Sequence, residues 1–274
     1  MLFFPNCKIN LGLNIIRKRE DGYHDIETVF YPVGLKDALE GIKSGVGIME
    51  TGVEFSNSGL PVMGDVGDNL CVKAYHLLKK DFPGIGSVQL HLHKAIPMGA
   101  GLGGGSSDGA FTLLLLDALC NLGLSIEQLM EYALQLGSDC PFFILNKPCL
   151  ATGRGEHMQE IGPDLSMFQF VIINPGIHVS TASAFSQIKP GTPEHRIADI
   201  IRLPVPQWKE LLVNDFEKNV SQAHPEIATI KKELYQKGAV YASMTGSGST
   251  VFGLFEKGNK PPLTVRPSWK VYYI

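Results

Sequence analysis

The chain has few of the features that mark secreted, membrane-bound or nucleic-acid-binding proteins. It contains five cysteines among 274 residues, an odd number, and their spacings fit no zinc or redox motif. This usage argues against a disulfide framework and favours free thiols in a reducing compartment. The formal net charge of −3 gives no electrostatic basis for binding nucleic acid or an anionic membrane, so we expect neither partner.

Long apolar runs are also missing. The longest, near Leu113, is interrupted by Asp117 and is too short to cross a bilayer. The first residues show no basic segment followed by an apolar core, so we expect no signal peptide. These absences predict a cytoplasmic location. The 274 residues suffice for a large core in one or two domains.

The most informative stretch is rich in glycine. Five glycines fall within the seven residues 99–105, and two serines follow. Apolar and polar residues alternate over 88–93, which is typical of a strand, and the apolar run 110–119 is typical of a helix. Glycine lets backbone N–H groups turn towards an anion, and the first N–H groups of a helix have no internal partner. The stretch therefore predicts a phosphate-binding loop.

Several loop types compete for this stretch. A Walker A loop would end in Gly-Lys-Ser/Thr, but Ser106 follows Gly105 directly. A dinucleotide fingerprint, Gly-x-Gly-x-x-Gly, can be read from Gly99, yet the acidic residue expected about 20 positions later is missing. A merely flexible turn would not require two serines at the mouth of a helix. The remaining pattern, Pro97-x-x-x-Gly-Leu-Gly with small residues and Ser-Ser, resembles the loop of the galactokinase, homoserine kinase, mevalonate kinase and phosphomevalonate kinase (GHMP) superfamily.

Motifs near the amino terminus suggest a hairpin with polar groups. Residues 3–16 are predicted to form a strand containing Lys8, whose ammonium would need a partner if it is buried. Asp21-Gly22 predicts a tight turn, which places Tyr23 and His24 just after it.

Further motifs follow. Asp68 is predicted to cap a helix, and a capping box at Ser125 opens another helix that ends at Gly137. Asp139 is predicted to stand just before an apolar strand, where it could act as a base beside the phosphate loop. A second glycine turn at 245–249 either closes a hairpin or supports the phosphate site.

Together these motifs resemble one family of the superfamily, the 4-diphosphocytidyl-2-C-methyl-D-erythritol kinases. In chain order they are Lys8-Ile-Asn-Leu, Asp21-Gly-Tyr-His-Asp, Asp68-Asn-Leu, the loop 97–107, Gly137-Ser-Asp-Cys-Pro-Phe-Phe and Thr245-Gly-Ser-Gly. The glycine loop alone indicates only the superfamily, whereas Asp-Gly-Tyr-His joined to the Lys-x-Asn opening indicates this family.

The resemblance implies a two-domain α+β fold of the GHMP small-molecule kinase type, with the active site in the cleft between the domains. Residues 1–150 would form an N-terminal ATP-binding domain like domain 2 of ribosomal protein S5. Residues 151–274 would form a C-terminal, ferredoxin-like α+β domain. A shift in composition near 147–156 fits such a junction.

The implied activity is the ATP-dependent phosphorylation of the 2-hydroxyl of 4-diphosphocytidyl-2-C-methyl-D-erythritol in the non-mevalonate isoprenoid precursor pathway. Lys8 and Asp139 would be the catalytic pair. Mg²⁺ would be carried by ATP oxygens and water, aided by the hydroxyl of Ser106 or Ser107, with no assigned protein metal site. We expect a monomer or weak homodimer.

The resemblance also implies which residues bind each ligand. The cytosine would stack between Tyr23 and Phe185 and be read by His24, while Asn10 would help to hold the methylerythritol part. The expected ATP contacts are Asn69, Leu70, Lys94, Pro97, Met98, Gly99, Ala100, Gly101, Leu102, Gly103, Gly104, Gly105, Ser106 and Ser107. The supporting glycine loop would be Thr245, Gly246, Ser247 and Gly248.

Three other functions are considered. One is another kinase of the superfamily, for homoserine, mevalonate or a sugar. Those substrates have no flat base that could stack on Tyr23. An oxidoreductase would use the glycine spacing as a nicotinamide loop and would bind NADH. A nucleotide-binding regulator without catalysis would need neither Lys8 nor Asp139.

Overall fold

The computed structural model describes residues 1–44, 52–259, 261–263 and 266–274. The strands are β1 (Leu2–Phe3), β2 (Asn6–Lys18), β3 (His24–Lys36), β4 (Ala38–Lys43), β5 (Val53–Gly59), β6 (Val88–Lys94), β7 (Cys149–Gly153), β8 (His157–Glu160), β9 (Phe168–Asn174), β10 (Tyr241–Met244), β11 (Val251–Glu256) and β12 (Lys270–Tyr273). The α-helices are α1 (Leu70–Asp81), α2 (Gly104–Cys120), α3 (Ile126–Leu136), α4 (Cys140–Leu145), α5 (Thr181–Ser186), α6 (Ile197–Ile200), α7 (Trp208–Leu211), α8 (Asp215–Ala223) and α9 (Pro225–Gln236). Among these residues, no helix has the length and apolar character that crossing a membrane requires.

The chain divides into two compact units that are not continuous in sequence. The first unit contains 1–7, 34–98 and 103–147, and the second contains 8–33, 99–102 and 148–274. The hairpin of β2 and β3 belongs to the second unit because β3 pairs with β7 in one sheet. The chain enters the second unit for the last time after Lys147, close to the predicted junction. The two predicted domain types stay predictions.

The first unit contains the strand, the helix and the flanks of the glycine loop. Its sheet has the order β1-β4-β6-β5, in which β5 runs parallel to β6 and β4 runs antiparallel to it. Alternate side chains of β6 are buried as the sequence pattern predicts, and α2 begins directly after the glycines. Helices α1 and α2 pack closely, since a Cβ on Gly109 would lie 2.9 Å from the Cβ of Leu70. The predicted order of strand, loop and helix is therefore confirmed.

The second unit contains two sheets, with the orders β2-β3-β7-β8 and β10-β11-β9-β12. Its main core lies where α8 and α9 pack on the second of these sheets. The core residues with no exposed surface include Ile15, Val171, Ile173, Ile227, Ile230, Leu234, Ala242, Met244, Val251 and Phe255. The final strand β12 pairs antiparallel with β9, with Val271 opposite Ile173. This pairing gives the carboxyl-terminal strand its place at one edge of the sheet.

Two local predictions need correction. Asn69, not Asp68, caps α1: the Asn69 side-chain oxygen accepts from Cys71 N at 2.9 Å, whereas Asp68 pairs with Lys73. The run after Asp139 is the helix α4 and not a strand. The sequence could not decide either point. Asp and Asn are equally good caps, and a short run that is buried on all sides has no diagnostic period. The capping box of Ser125 and the predicted end of α3 at Gly137 are confirmed.

A buried ionic group fixes the stems of the glycine loop within the first unit. The ammonium of Lys94, at the end of β6, pairs with Asp37 and lies 2.7 Å from Oδ2 of Asp108 in α2. Asp37 Oδ1 also accepts the N–H groups of Ala95 and Ile96, at 2.6 and 2.8 Å. The same group therefore holds the strand end before the loop and the helix turn after it.

The charges of this group are coupled. Burial raises the pKa of Asp108, and the neighbouring Asp37 charge raises it further against the opposing effect of Lys94. Burial alone would lower the pKa of Lys94, but the two carboxylates raise it, so the lysine stays charged. One cation shared by two carboxylates favours retention of a proton by Asp108.

Replacing Lys94 by methionine is expected to destabilise the protein by about 3–5 kcal/mol, because Asp37 and Asp108 lose the buried cation that they share. Urea unfolding followed by circular dichroism measures this loss. Lys73→Met is the matched control, since Lys73 pairs with Asp68 on the surface and should cost about 0–1 kcal/mol. Equal unfolding midpoints for the two variants would disprove the role given to the buried group.

Candidate active site

The glycine loop adopts a backbone that only glycine accepts at low cost. Gly99, Gly101 and Gly103 have φ angles of +60°, +77° and +69°, all in the left-handed region. A Cβ on Gly101 would also lie 2.1 Å from the carbonyl oxygen of Thr245. The backbone conformation and the close packing are therefore two independent reasons for glycine at position 101.

Hydrogen bonds within the second unit hold the carbonyl groups of the loop. The three successive carbonyls of residues 100–102 accept from Thr250 N, Thr245 Oγ1 and Lys8 N, at 3.3, 3.0 and 2.9 Å. The turn that contains Thr245 is itself fixed by Asn214, whose Nδ2 donates to the carbonyls of Met244 and Gly246. This arrangement fixes the loop through its acceptors, so its N–H groups are not needed for anchoring.

The start of α2 has main-chain N–H groups that are available to bind an anion. Gly103 is the N-cap, and the N–H groups of the first turn have no carbonyl of a preceding turn to bind. The helix dipole places partial positive charge at the same end. A Cβ on Gly105 would meet no atom within 4 Å, so open space borders the main chain at this point. The geometry suits the binding of an anion, and of phosphate in particular.

The hydroxyl groups at this helix end differ in their surroundings. Ser106 is half-buried, whereas Ser107 is buried. In the described part of the chain, Ser107 Oγ and Asp108 Oδ1 have no hydrogen-bond partner. No group of three or more His, Cys, Asp or Glu side chains suited to a metal is found among the described residues.

Lys8 lies in β2 and is only 4% exposed. Its ammonium donates to Asn10 Oδ1 at 2.8 Å and stands 4.5 Å from the centre of the Phe30 ring. Its main-chain N–H holds the loop carbonyl of Leu102. One residue therefore has a held ammonium and also anchors the glycine loop within the second unit.

Asp139 lies in the first unit, directly before α4. It has helical backbone angles, φ −86° and ψ −14°, and its side chain does not cap the helix. The next residue, Cys140, is buried and hydrogen-bonded to the side chain of Ser106. Burial raises the pKa of the Cys140 thiol to about 12, so it stays protonated and serves in packing. These contacts connect the segment that carries Asp139 to the helix end of the glycine loop.

The predicted base-binding residues lie in the second unit. The rings of His24 and Phe185 are stacked, with centroids 4.7 Å apart and an interplanar angle of 20°. The ring of Tyr23 is exposed, and the guanidinium carbon of Arg154 stands 5.1 Å from its centre. Burial, aided by the charge of Lys18, lowers the pKa of His24 and favours the neutral imidazole.

Two predicted ligand contacts are buried. Asn10 is 1% exposed and uses both ends of its amide inside the second unit, and Lys94 is likewise 1% exposed in its ionic group. Burial favours supporting roles for both side chains, and their ligand contacts stay predictions. Asn69 uses its oxygen as a helix cap, while Leu70 lines a surface pocket with Lys73 and Leu136.

Sequence reasoning missed several residues that shape the site. Asn214 supports the second glycine turn, Arg154 places its guanidinium near the ring of Tyr23, and Asp37 holds the stem of the glycine loop. None of them belongs to a local motif, and each meets its partner only through tertiary pairing. The sequence offered one signal: a polar residue in a strand that is predicted to be buried, such as Lys8, must have a partner somewhere in the folded chain.

Gly101→Ala is expected to destabilise the protein by about 1–2 kcal/mol through its left-handed backbone, and further through the contact with Thr245. The urea midpoint measures the loss. Gly105→Ala is the matched control, because its Cβ meets open space and alanine in a helix gains about 0.5–1 kcal/mol over glycine. An unchanged midpoint for Gly101→Ala would show that the loop relaxes freely.

Comparison with known proteins places this geometry in a family. The sequence matches the GHMP kinases N terminal domain over residues 69–147 and the GHMP kinases C terminal domain over residues 199–263. It is 51% identical to the 4-diphosphocytidyl-2-C-methyl-D-erythritol kinase of Azobacteroides pseudotrichonymphae, over 95% of this chain and 96% of that protein. The enzyme of the same name from Bacteroides thetaiotaomicron is 52% identical, over 96% and 95% of the two chains.

Solved structures agree with the sequence matches. A crystal structure of 4-(cytidine 5′-diphospho)-2C-methyl-D-erythritol kinase aligns with a TM-score of 0.79 at 32% identity, covering 93% of this chain and 90% of that one. The mevalonate kinase of Methanococcus jannaschii aligns with a TM-score of 0.71 at 13% identity, which shows a shared fold. The α+β kinase fold predicted from the sequence is thus confirmed. The chain belongs to the 4-diphosphocytidyl-2-C-methyl-D-erythritol kinase family of the GHMP kinases.

Proposed function

We propose that the protein transfers the γ-phosphoryl group of ATP to the 2-hydroxyl of 4-diphosphocytidyl-2-C-methyl-D-erythritol, a step of the non-mevalonate route to isoprenoid precursors. Relatives at 51–52% identity carry the name of this kinase. The observation that carries the proposal is the main chain of the glycine loop, in which left-handed glycines lead into the open amino end of α2.

Phosphoryl transfer depends on positioning and charge neutralisation more than on covalent chemistry. The N–H groups at the start of α2 would hold the triphosphate, because they are fixed donors that need no rearrangement when charge develops. Mg²⁺ bound to ATP oxygens would offset the phosphate charge, with the hydroxyl of Ser106 or Ser107 as its protein ligand. The fixed carbonyls of residues 100–102 keep the loop in place during transfer.

The acceptor hydroxyl is a weak nucleophile until it loses its proton. Asp139 would take this proton as general base, and the ammonium of Lys8 would favour the ionised forms of the carboxylate and the hydroxyl. The proposal requires both side chains to reach the same hydroxyl when the two substrates are bound. Lys8 is suited to its part because Asn10 and Phe30 hold its ammonium in one orientation.

The cytosine would stack between Tyr23, whose ring is exposed, and Phe185, whose ring is stacked on that of His24, and it would be read by His24. A neutral imidazole has one donor and one acceptor nitrogen, which suits the alternating edge of a base. The lowered pKa of His24 keeps it in this form at neutral pH. A flat, stacking-competent surface of this kind favours a cytidine-bearing acceptor over homoserine or mevalonate.

The location, the oligomeric state and the excluded partners complete the proposal. We place the reaction in the cytoplasm and expect a monomer or weak homodimer, with neither nucleic acid nor membrane as partner. Net charge of −3 supports the expectation about polyanions. Gel filtration and a filter-binding assay with duplex DNA test these points.

Asp139→Asn and Lys8→Met are each expected to lower kcat by about 10²–10⁴-fold, because each removes a group that acts on the transferred proton. Affinity for an ATP analogue should stay within about twofold. ADP release in a coupled assay measures turnover with the cytidine diphosphate methylerythritol, homoserine or mevalonate as acceptor. Asp164→Asn is the matched control, since Asp164 is exposed in a turn. Wild-type turnover in Asp139→Asn would eliminate the assigned base.

The KM for the cytidyl substrate should depend on pH through His24. Because the folded pKa lies below the ordinary value of 6.5, KM should be flat from about pH 8 to about 6.5 and rise at lower pH, where protonation removes the acceptor nitrogen. His24→Gln should remove this rise. Tyr23→Ala should raise KM about 5- to 150-fold at every pH, as expected for the loss of base stacking. The account of base recognition fails if wild type and His24→Gln share one profile.

A further inference from the structure

A set of buried polar atoms lies beside Lys8 and takes no direct part in the proposed chemistry. Thr28 in β3 has no exposed surface, and Asn10 in β2 has 1%. Both residues belong to the second unit, as does Lys8. Buried hydroxyl and amide groups are costly unless their partners are matched, so the direction of each hydrogen bond can be worked out from the chemistry of its atoms.

The hydroxyl of Thr28 has only one possible direction. Its oxygen lies 2.5 Å from the carbonyl oxygen of Gly12, and a carbonyl can only accept, so the single hydroxyl proton points to Gly12. The same oxygen lies 3.0 Å from the side-chain nitrogen of Asn10. Since the proton is already used, Thr28 can only accept from Asn10. It therefore selects the NH₂ end of that amide.

The orientation of the Asn10 amide then follows. With its nitrogen towards Thr28, its oxygen faces Lys8 Nζ at 2.8 Å. A lysine ammonium has donors only. If the amide were reversed, two donors would face each other, and the hydrogen bond to Lys8 would be lost. The proton direction at Thr28 thus decides whether Asn10 can hold the ammonium.

Strand β3 holds Lys8 in a second way. Phe30 follows Thr28 by two residues, so both side chains project from the same side of the strand. The ring of Phe30 lies 4.5 Å from the ammonium, within the range of a cation–π contact. Without such partners, the long side chain of lysine would sample many rotamers. Alternate residues of one strand therefore restrict the ammonium directly and through Asn10.

We propose that Thr28 is a positioning residue of this enzyme, which orients the Asn10 amide and thereby fixes the ammonium of Lys8. The proposal rests on the proposed function, in which Lys8 acts in phosphoryl transfer. A role in packing alone makes a different prediction, because valine has nearly the same shape as threonine and would fill the same space.

The first test compares Thr28→Val with Thr28→Ser. Valine removes the hydroxyl and keeps the shape, so kcat should fall about 10- to 100-fold while KM for ATP stays within about twofold. Serine keeps the hydroxyl and should restore kcat to within about threefold of wild type. Thermal unfolding of each variant checks that it is folded. If valine prevents folding, Thr28→Ala takes its place, with the same expected loss relative to serine. Wild-type kcat in the folded variant that lacks the hydroxyl would overturn the proposal.

The second test separates this proposal from the proposed function. In a Lys8→Met background, Thr28→Val should lower kcat no further, because the group that it positions is already gone. If Thr28→Val lowers kcat by the same factor in both backgrounds, the effect is a general structural one and the positioning role is overturned. If Lys8→Met alone has wild-type turnover, the proposed role of Lys8 fails and the positioning proposal falls with it. If Lys8→Met is impaired but Thr28→Val is not, only the positioning proposal fails.

Discussion

A loop that binds phosphate through its main-chain N–H groups must be held in place by other contacts, because those N–H groups have to stay available for the ligand. For the phosphate site that we propose, the glycine loop meets this constraint because other parts of it are fixed. Three successive carbonyls accept hydrogen bonds in the second unit, and the ionic group around Lys94 holds the two stems in the first. Left-handed glycines then give the main chain a course that side chains would obstruct.

Two buried lysines show how similar groups take different roles. Lys94 is surrounded by two carboxylates, which hold a full countercharge, and its ammonium supports the fold. Two of the groups that hold Lys8, the Asn10 amide and the Phe30 ring, are neutral. They restrict the position of the ammonium without cancelling its charge. The proposed phosphoryl transfer requires a cation that is held in position where negative charge develops.

The sequence predicted those parts of the structure that depend on neighbouring residues. The glycine loop, the turn before Tyr23 and the capping box at Ser125 are local, because each is set by the backbone freedom or hydrogen bonding of a few consecutive residues. The helix after Asp139 could not be distinguished from a strand, since α4 is short and buried all round. Partners such as Asp37 with Lys94 and Thr28 with Asn10 could not be predicted, because they are far apart in the sequence and meet only in the folded chain. The resemblance to a family supplied roles for Lys8 and Asp139 that spacing alone could not give.

The central claim is that main-chain N–H groups at the start of α2 bind the triphosphate. Backbone amide NMR spectra recorded during titration with Mg²⁺ and a non-hydrolysable ATP analogue test it most directly. We expect the largest saturable shifts at the amides of residues 103–106, since the N–H of Ser107 already donates to the carbonyl of Gly103, and we expect an equal response in Asp139→Asn. Saturable binding that leaves these amides unshifted and moves resonances elsewhere would contradict it.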